Sequence, residues 1–443
     1  MTQDSDYVLE QARDQKVKFV RLWFTDILGF LKSVTITVEE LPEVLEVGQG
    51  FDGSSIEGFA RIDESDMIAM PDPSTWQVLP WTLEEGAPVA RMFCDIVEPD
   101  GRPHDGDPRW VLKRALAEAQ ALGYTYYVGP EFEFFIFKSA EGEPELVDRG
   151  GYFEMTPNDL ASDLRKEIVV TLESLGIGVE SLHHEAAPSQ HEIDMRYTDA
   201  LTMADSAMTL RIVVKEIALR RGVYATFMPK PLNGQNGSGM HVHQSLFQGE
   251  KNAFYDASDP ARLSQTAKRF VAGLLRHAPE ITLVTNQWVN SYKRLVPGYE
   301  APVYVSWATR NRSDLVRVPV VRQSRELGTR VEYRAPDPAC NPYLAFACML
   351  RAGLAGIREG YELPTPVERN VYEMTAEERR KLGVTELPED LAEAIKVAEG
   401  SAFLRQTLGD HVFEKLIENK RLEWDGYRTR VTRWELDQYL GRL

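Results

Sequence analysis

The chain has 443 residues, too many for one ordinary hydrophobic core, so a small domain and a large one are expected. With 43% hydrophobic and 27% charged residues the composition is that of a globular protein, which argues against disorder. A formal net charge of −18 disfavours nucleic acid and anionic membrane as partners, because both call for a basic face.

Residues 1–10 are acidic and hold no apolar core segment, so they do not read as a signal peptide. The first hundred residues then read as mixed β with little helix. Residues 17–24 are β-rich with partial alternation and end at Asp26, with Gly29 beyond. Residues 31–38 follow as a second strand with Val34, Ile36 and Val38 on one face. A strand over 90–96 closes the segment, and the proline- and glycine-bearing stretch 98–103 reads as a linker. The expected domains are 13–98 and 105–443.

Helix starts recur after the linker. Asp107-Pro108, Asp259-Pro260 and Asn341-Pro342 each place a capping residue before proline at the first helical position. The first run stops at Gly123 and the second near Pro279. Thr375 with Glu378, and Thr432 with Glu435, have the spacing of capping boxes. The apolar run 343–357 is interrupted by Arg351 and is too short to span a bilayer. Cys94, Cys340 and Cys348 make neither a disulfide framework nor a metal-binding pair, which points to a reduced, cytosolic chain.

Short strand-like blocks between the helices carry the chemistry. Glu131 and Glu133 alternate with Phe132 and Phe134, so on a strand both carboxylates share one face. His241 and His243 have the same spacing, as do Arg330, Glu332 and Arg334. Glu185 and Glu192 lie in a fourth block. Each block alone could be a solvated or salt-bridged sheet surface. Together they demand a shared polar interior, and an interior with that many carboxylates needs cations. Oxygen-dominated sites favour Mg²⁺ or Mn²⁺ over zinc. Metal ligands beside a run of arginines suit phosphoryl transfer onto a carboxylate.

Four stretches carry a family resemblance: Phe51-Asp52-Gly53-Ser54-Ser55, the segment from Asn236 through Gly239 to His243, the segment from Lys293 through Gly298 to Pro302, and Asn341-Pro342-Tyr343. They resemble glutamine synthetase of the bacterial type I class, in its short (alpha-like) form. The resemblance implies an α+β fold, with a small N-terminal β-grasp domain and a large α/β catalytic domain built on a curved, mainly antiparallel sheet. It implies a cytoplasmic ligase that joins ammonia to the γ-carboxylate of L-glutamate through γ-glutamyl phosphate, at the expense of ATP. It also implies a homo-oligomer, a dodecamer of two stacked hexamers with active sites between subunits.

Roles follow position by position from the same resemblance. Glu133, Glu185 and Glu192 hold one cation; Glu131, His241 and Glu332 hold the second, which meets the ATP phosphates. Asn236, Gly237, Arg294, Glu300, Arg312 and Arg334 bind glutamate. Glu180, Tyr197, His243, Ser245, Arg312, Arg317 and Arg330 bind ATP, with Tyr197 against adenine. Asp52, Ser55, Tyr152 and Glu185 form the ammonium site. Asp52 is the base, reaching a neighbouring subunit's active site, and Glu300 is the flap residue. Asp52, Glu300 and Arg312 are thus the catalytic set.

The chain departs from the pattern in places. Leu327 stands where some members carry a phosphate-binding lysine, and Ser189 replaces a common glycine. The insertion of the branch regulated by adenylylation is absent, and Tyr372, near that branch's modified position, is expected to be unmodified. Arg61 resembles a residue tied to feedback inhibition. Two rival readings are a ligase for a larger amine such as a polyamine, and a non-catalytic relative. The intact ammonium set opposes the first and the six intact ligands oppose the second.

Overall fold

Alternating apolar residues in the first hundred positions build a six-stranded sheet: β1 (Phe19–Thr25), β2 (Leu31–Thr37), β3 (Gln49–Asp52), β4 (Asp66–Pro71), β5 (Gln77–Val78) and β6 (Val89–Val97). This is seen in a computed structural model that describes residues 3–58, 66–311, 313–319 and 326–443. The strand order is β2-β1-β6-β4-β3, with β5 also beside β6. Only β1 and β6 pair in parallel. Val20, Leu22 and Phe24 of β1 are buried in one core with Met92 and Cys94. That core also takes Val8 and Ala12 from helix α1 (Gln3–Asp14), and a second short helix, α2 (Leu41–Val47), supplies Leu41 and Val44. The expectation of little helix here is therefore corrected. Ser5, Val8 and Ala12 are buried at helical spacing, so the period was present in the segment although Asp4, Asp6, Glu10 and Asp14 surround it.

The second sheet has ten strands. These are β7 (Thr125–Phe137), β8 (Val179–His184), β9 (Gln190–Met195), β10 (Thr198–Asp199), β11 (Tyr224–Thr226), β12 (Met240–Gln248), β13 (Lys251–Asn252), β15 (Trp307–Ala308), β16 (Val316–Arg317) and β17 (Val331–Tyr333). The main path runs β15-β16-β17-β12-β7-β9-β8. All its pairs are antiparallel except β15 with β16. Strand β14 (Tyr304–Val305) pairs separately with β18 (Thr385–Glu386).

The apolar residues of these strands pack against helices. Phe132, Phe134, Ile193, Val242 and Tyr333 share a core with Met203, Leu210 and Val214 of α5 (Ala200–Arg220). Helices α3 (Pro108–Ala121), α4 (Ser162–Ser174), α6 (Gln265–Thr285), α7 (Ser291–Arg294) and α8 (Pro342–Glu359) complete the layer. Asp107 and Asn341 cap α3 and α8 as the sequence indicates, and both capping boxes form. The helix expected from Asp259-Pro260 begins later. Asp259 accepts from the amides of Ala261 and Leu263 in a turn, Ser264 caps α6, and Pro279 lies inside that helix rather than ending it. Among the described residues no helix is long and apolar enough to cross a membrane.

Helices α6 and α8 approach backbone to backbone at Gly273 and Gly356. A Cβ on Gly273 would meet the Ala352 carbonyl at 2.0 Å, and one on Gly356 would meet the Arg269 carbonyl at 2.0 Å. Because the obstacle is backbone, the helices must part to admit a methyl group. Gly356→Ala is expected to destabilise the protein by about 1–3 kcal/mol. A thermal or denaturant midpoint equal to the wild type would contradict the close crossing.

Candidate active site

The sheet register assembles the polar face. Glu131 on β7 stands opposite His241 on β12 and Asp194 on β9. Glu133 stands opposite Glu192, which in turn faces His183 on β8. On the other side His243 faces Glu332 on β17, which faces Arg317 on β16. Directly opposed residues lie about 5 Å apart, so the strand order alone draws these side chains into one patch. Ligand-type atoms within 4.8 Å of one another form three linked groups: Glu131, His241 and Glu332; Glu133, Glu192 and His241; and His183, Glu185 and Glu192. All six ligands expected from the sequence are in these groups. His241 belongs to two of them, and His183 is an addition.

Charge is unevenly compensated across the patch. His241 Nδ1 lies 3.0 Å from one Glu131 oxygen and His243 Nε2 lies 2.6 Å from the other. Burial pushes the Glu131 carboxyl upward, but these two imidazole contacts outweigh it and hold the group well below its usual range. Arg330 donates to His243 Nδ1 at 3.2 Å, which leaves Nε2 as the nitrogen that carries hydrogen toward Glu131. Glu332, also deeply buried, is held low by Arg334, and it accepts from both Arg317 and Arg334. Glu133 and Glu192 have no cationic group in hydrogen-bond contact: His241 Nε2 stands 3.8 Å from Glu133 and His183 Nε2 3.6 Å from Glu192, and Arg294 and Arg334 offset the Glu133 charge only in part. Burial first, and then the carboxylate of Glu185 for Glu133 and that of Glu133 for Glu192, push both upward. Gln190 and the Gly239 amide each donate to Glu133 at 3.0 Å, but these are neutral donors. Two buried carboxylates, incompletely compensated and beside Glu185, His183 and His241, fit a divalent cation, and the carboxylate-rich donor set fits a hard one.

Two cavities open on either side of Glu131. The larger, about 740 Å³, is lined by Glu180, Tyr197, His243, Ser245, Leu327 and Arg330 among others. Tyr197 is 53% exposed, so its ring is a cavity wall rather than core packing. The second, about 400 Å³, is lined by Tyr152, Glu185, Asn236, Gly237, Arg294, Glu300, Arg317 and Arg334. Glu131, Ser181 and Asp194 line both. Arg294 is buried and donates to the backbone carbonyls of Arg334, Ala335 and Pro336, which fixes its guanidinium at the inner wall. Gly237 passes so close to the Pro229 carbonyl that a Cβ would meet it at 2.5 Å.

The remaining sequence candidates are placed as follows. Asp52 ends edge strand β3 and accepts from the amide and hydroxyl of Ser54, and Ser55 follows in a 3-10 turn. Neither residue lines either cavity. Arg312 and Arg61 lie outside the described residues. Ser189 adopts φ +61°, a backbone that glycine reaches more easily. Its hydroxyl accepts from the amides of Val147 and Asp148, which accounts for serine being accommodated there.

His183, Ser181, Asp194 and Gln190 were missed as site residues. The signal was available: Gln190, Glu192 and Asp194 alternate on β9, and Ser181 and His183 alternate on β8. His184 and His191, by contrast, face away from the patch, where His184 meets Asp148 and His191 meets Arg165.

Comparison with known proteins gives a consistent picture. The family model described as the glutamine synthetase catalytic domain matches residues 105–439, and that of the glutamine synthetase beta-grasp domain matches residues 16–99. The chain is 53% identical to a glutamine synthetase of Mycolicibacterium smegmatis over 445 residues, covering 100% of both. It is 53% identical to a glutamine synthetase of Methanosarcina mazei over 439 residues, covering 98% of this chain and 97% of that one. A solved structure described as a GmaS/ADP complex superposes with a TM-score of 0.88 at 31% identity, over 98% of this chain and 99% of that chain.

The two raised carboxyls give the cation reading a sign. A cation binds the deprotonated forms, so its uptake should expel protons and its affinity should rise with pH across the neutral range. Calorimetry of Mn²⁺ binding in buffers of different ionisation enthalpy measures both quantities. Binding without proton release, at a pH-independent affinity, would sink the assignment of Glu133 and Glu192.

Proposed function

The chain belongs to the glutamine synthetase family, and on that footing we propose how its residues divide the work of the reaction. The reaction is the ATP-dependent ligation of ammonia to the γ-carboxylate of L-glutamate through γ-glutamyl phosphate, giving L-glutamine, ADP and phosphate. The observation that carries the assignment is the pair of adjoining cavities with the candidate ligands between them.

In this reading ATP occupies the larger cavity, with adenine against Tyr197 and contacts from Glu180, His243 and Ser245. A nucleotide-binding role is supported by the related GmaS structure, which is described as an ADP complex. Glutamate occupies the smaller cavity, its carboxylates met by Arg294 and Arg334 and its remainder by Asn236, Gly237 and Arg312. Bidentate guanidinium geometry suits both carboxylate and phosphate. Glu131, His241 and Glu332 would hold one divalent cation and Glu133, Glu185 and Glu192 the other, as Mg²⁺ or Mn²⁺. Bound there, the cations supply neutralisation of the phosphoryl charge during transfer. Arg312, Arg317 and Arg330 add fixed positive charge at the phosphates. Arg317 must exchange part of its bond with Glu332 for this role.

The γ-carboxylate oxygen attacks the γ-phosphorus and ADP leaves. Ammonium is bound by Asp52, Ser55, Tyr152 and Glu185. Asp52 removes one proton, because only the free amine is a nucleophile. The amine attacks the acyl carbon, the bond to the phosphate oxygen breaks, and Glu300 covers the intermediate and accepts the next proton. Tyr152 and Glu185 line the smaller cavity while Asp52 sits on the small sheet, so we assign Asp52 to a neighbouring subunit's site. The family is homo-oligomeric, and a dodecamer of two stacked hexamers, in the cytoplasm, fits this division. The chain divides between residues 98 and 105, the small domain supplying Asp52 and the large domain the residues that hold the cations and nucleotide.

Two experiments test the reading. In a panel of ammonium, putrescine and spermidine, glutamate-dependent phosphate release should be supported by ammonium and hardly at all by the polyamines. The opposite order would transfer the protein to the larger-amine reading. Asp52→Ala and Glu332→Ala should each abolish turnover. When the two variants are dissociated, mixed equally and reassembled, roughly a quarter of the sites should regain activity, since half of the donors and half of the acceptors are intact. No recovery in correctly assembled mixtures would place Asp52 outside the neighbour's active site.

A further inference from the structure

Tyr372 takes part in none of the roles above, yet its hydroxyl donates to the Ala301 carbonyl at 2.5 Å. Ala301 directly follows Glu300. Glu300 itself has φ +57° and Gly298 has φ +91°, so the backbone just before Ala301 is held in a conformation that costs free energy for a non-glycine residue. On the opposite side, Asn236 Nδ2 approaches the Glu300 carboxylate at 3.3 Å.

The support beneath Tyr372 is firm. Asn370 caps the 3-10 turn Val371–Glu373, Val371 is fully buried, and its amide donates to Ser313. The Tyr372 ring lies 5.9 Å from that of Tyr304, which in turn is covered by the Arg379 guanidinium at 4.3 Å. Beyond Ala301 the chain enters β14, which is paired with β18, and Leu387 donates to the Val303 carbonyl. Burial pushes the Tyr372 hydroxyl up to about 12, so it stays a donor throughout the neutral range.

We propose that Tyr372 is a positioning residue for the Glu300 loop, its hydroxyl clamping the Ala301 carbonyl so that Glu300 swings from a fixed downstream pivot. The inference rests on the reading of Glu300 as the residue that covers the acyl phosphate. If the pivot loosens, the cover loosens, and water competes with ammonia for the acyl phosphate. Water adds oxygen to the mixed anhydride, glutamate and phosphate are released, and ATP is spent without glutamine.

The diagnostic quantity is therefore the ratio of ADP to glutamine. In Tyr372→Phe the ring packing survives and only the donor is lost. Glutamate-dependent ADP formation without ammonium should rise about two- to tenfold, the worth of one neutral hydrogen bond, while KM for ATP stays unchanged. Hydrogen exchange over residues 296–301 should accelerate, with residues 303–305 unaffected. An unchanged ADP-to-glutamine ratio, or unchanged exchange in the loop, overturns the proposal. Glu300→Ala run in parallel separates the two layers. Uncoupling in Glu300→Ala alone rejects the clamp, whereas coupling intact in both variants rejects the reading of Glu300 as well.

Discussion

The arrangement depends on the cost of placing ionised carboxylates on interior strands. Glu131, Glu133, Glu192 and Glu332 sit on β7, β9 and β17, and all but Glu131 are more than nine-tenths removed from solvent. An isolated buried carboxylate costs several kcal/mol, and the protein meets that cost in two different ways. Glu131 and Glu332 are matched by the chain's own imidazoles and guanidinium groups. Glu133 and Glu192 are left to share protons or to bind a cation. That inequality sets the patch apart from a salt-bridged surface and is what the proposed cation would relieve.

The sheet acts as a ruler and the loops as moving parts. Each ligand on β7, β9, β12 and β17 is fixed by backbone pairing, which sets its height and face without reference to other side chains. Around this grid stand three residues with positive φ: Phe153, Ser189 and Glu300. All three lie on segments that approach the smaller cavity or its ligands. Lys16 and Arg262 are the other two non-glycine residues with positive φ among those described, so three of five stand beside the smaller cavity, and the grid itself shifts register once, between Val179 and Ser181.

Much of the site was legible because alternation on a strand is a local property. Glu131 with Glu133, His241 with His243, and Arg330 with Glu332 and Arg334 announce their shared faces through spacing alone. The same rule applied to β8 and β9 would have added His183 and Asp194. The rest was hidden for physical reasons. The strand order β17-β12-β7-β9 pairs residues as far apart in the chain as Thr125 and Phe247, and no local pattern encodes such pairing. The start of α6 was misread because Asp-Pro serves a turn as readily as a helix. The helix α1 is different, because Val8 and Ala12, one turn apart on its buried face, did signal it. The role of Asp52 came through family resemblance, since Asp-Gly-Ser-Ser by itself describes a turn.

Glu131, Ser181 and Asp194 border both cavities, so the chambers proposed for nucleotide and amino acid share a wall. Ser181 donates to Asp194, and Asp194 is itself raised by burial and by the nearby Glu131 charge. A group lodged in either chamber would face a wall that the other chamber shares. Two occupants would then not be read by independent receptors. Whichever entered first would rewrite the polarity of the other's doorway, and affinity for one would become a statement about the presence of both.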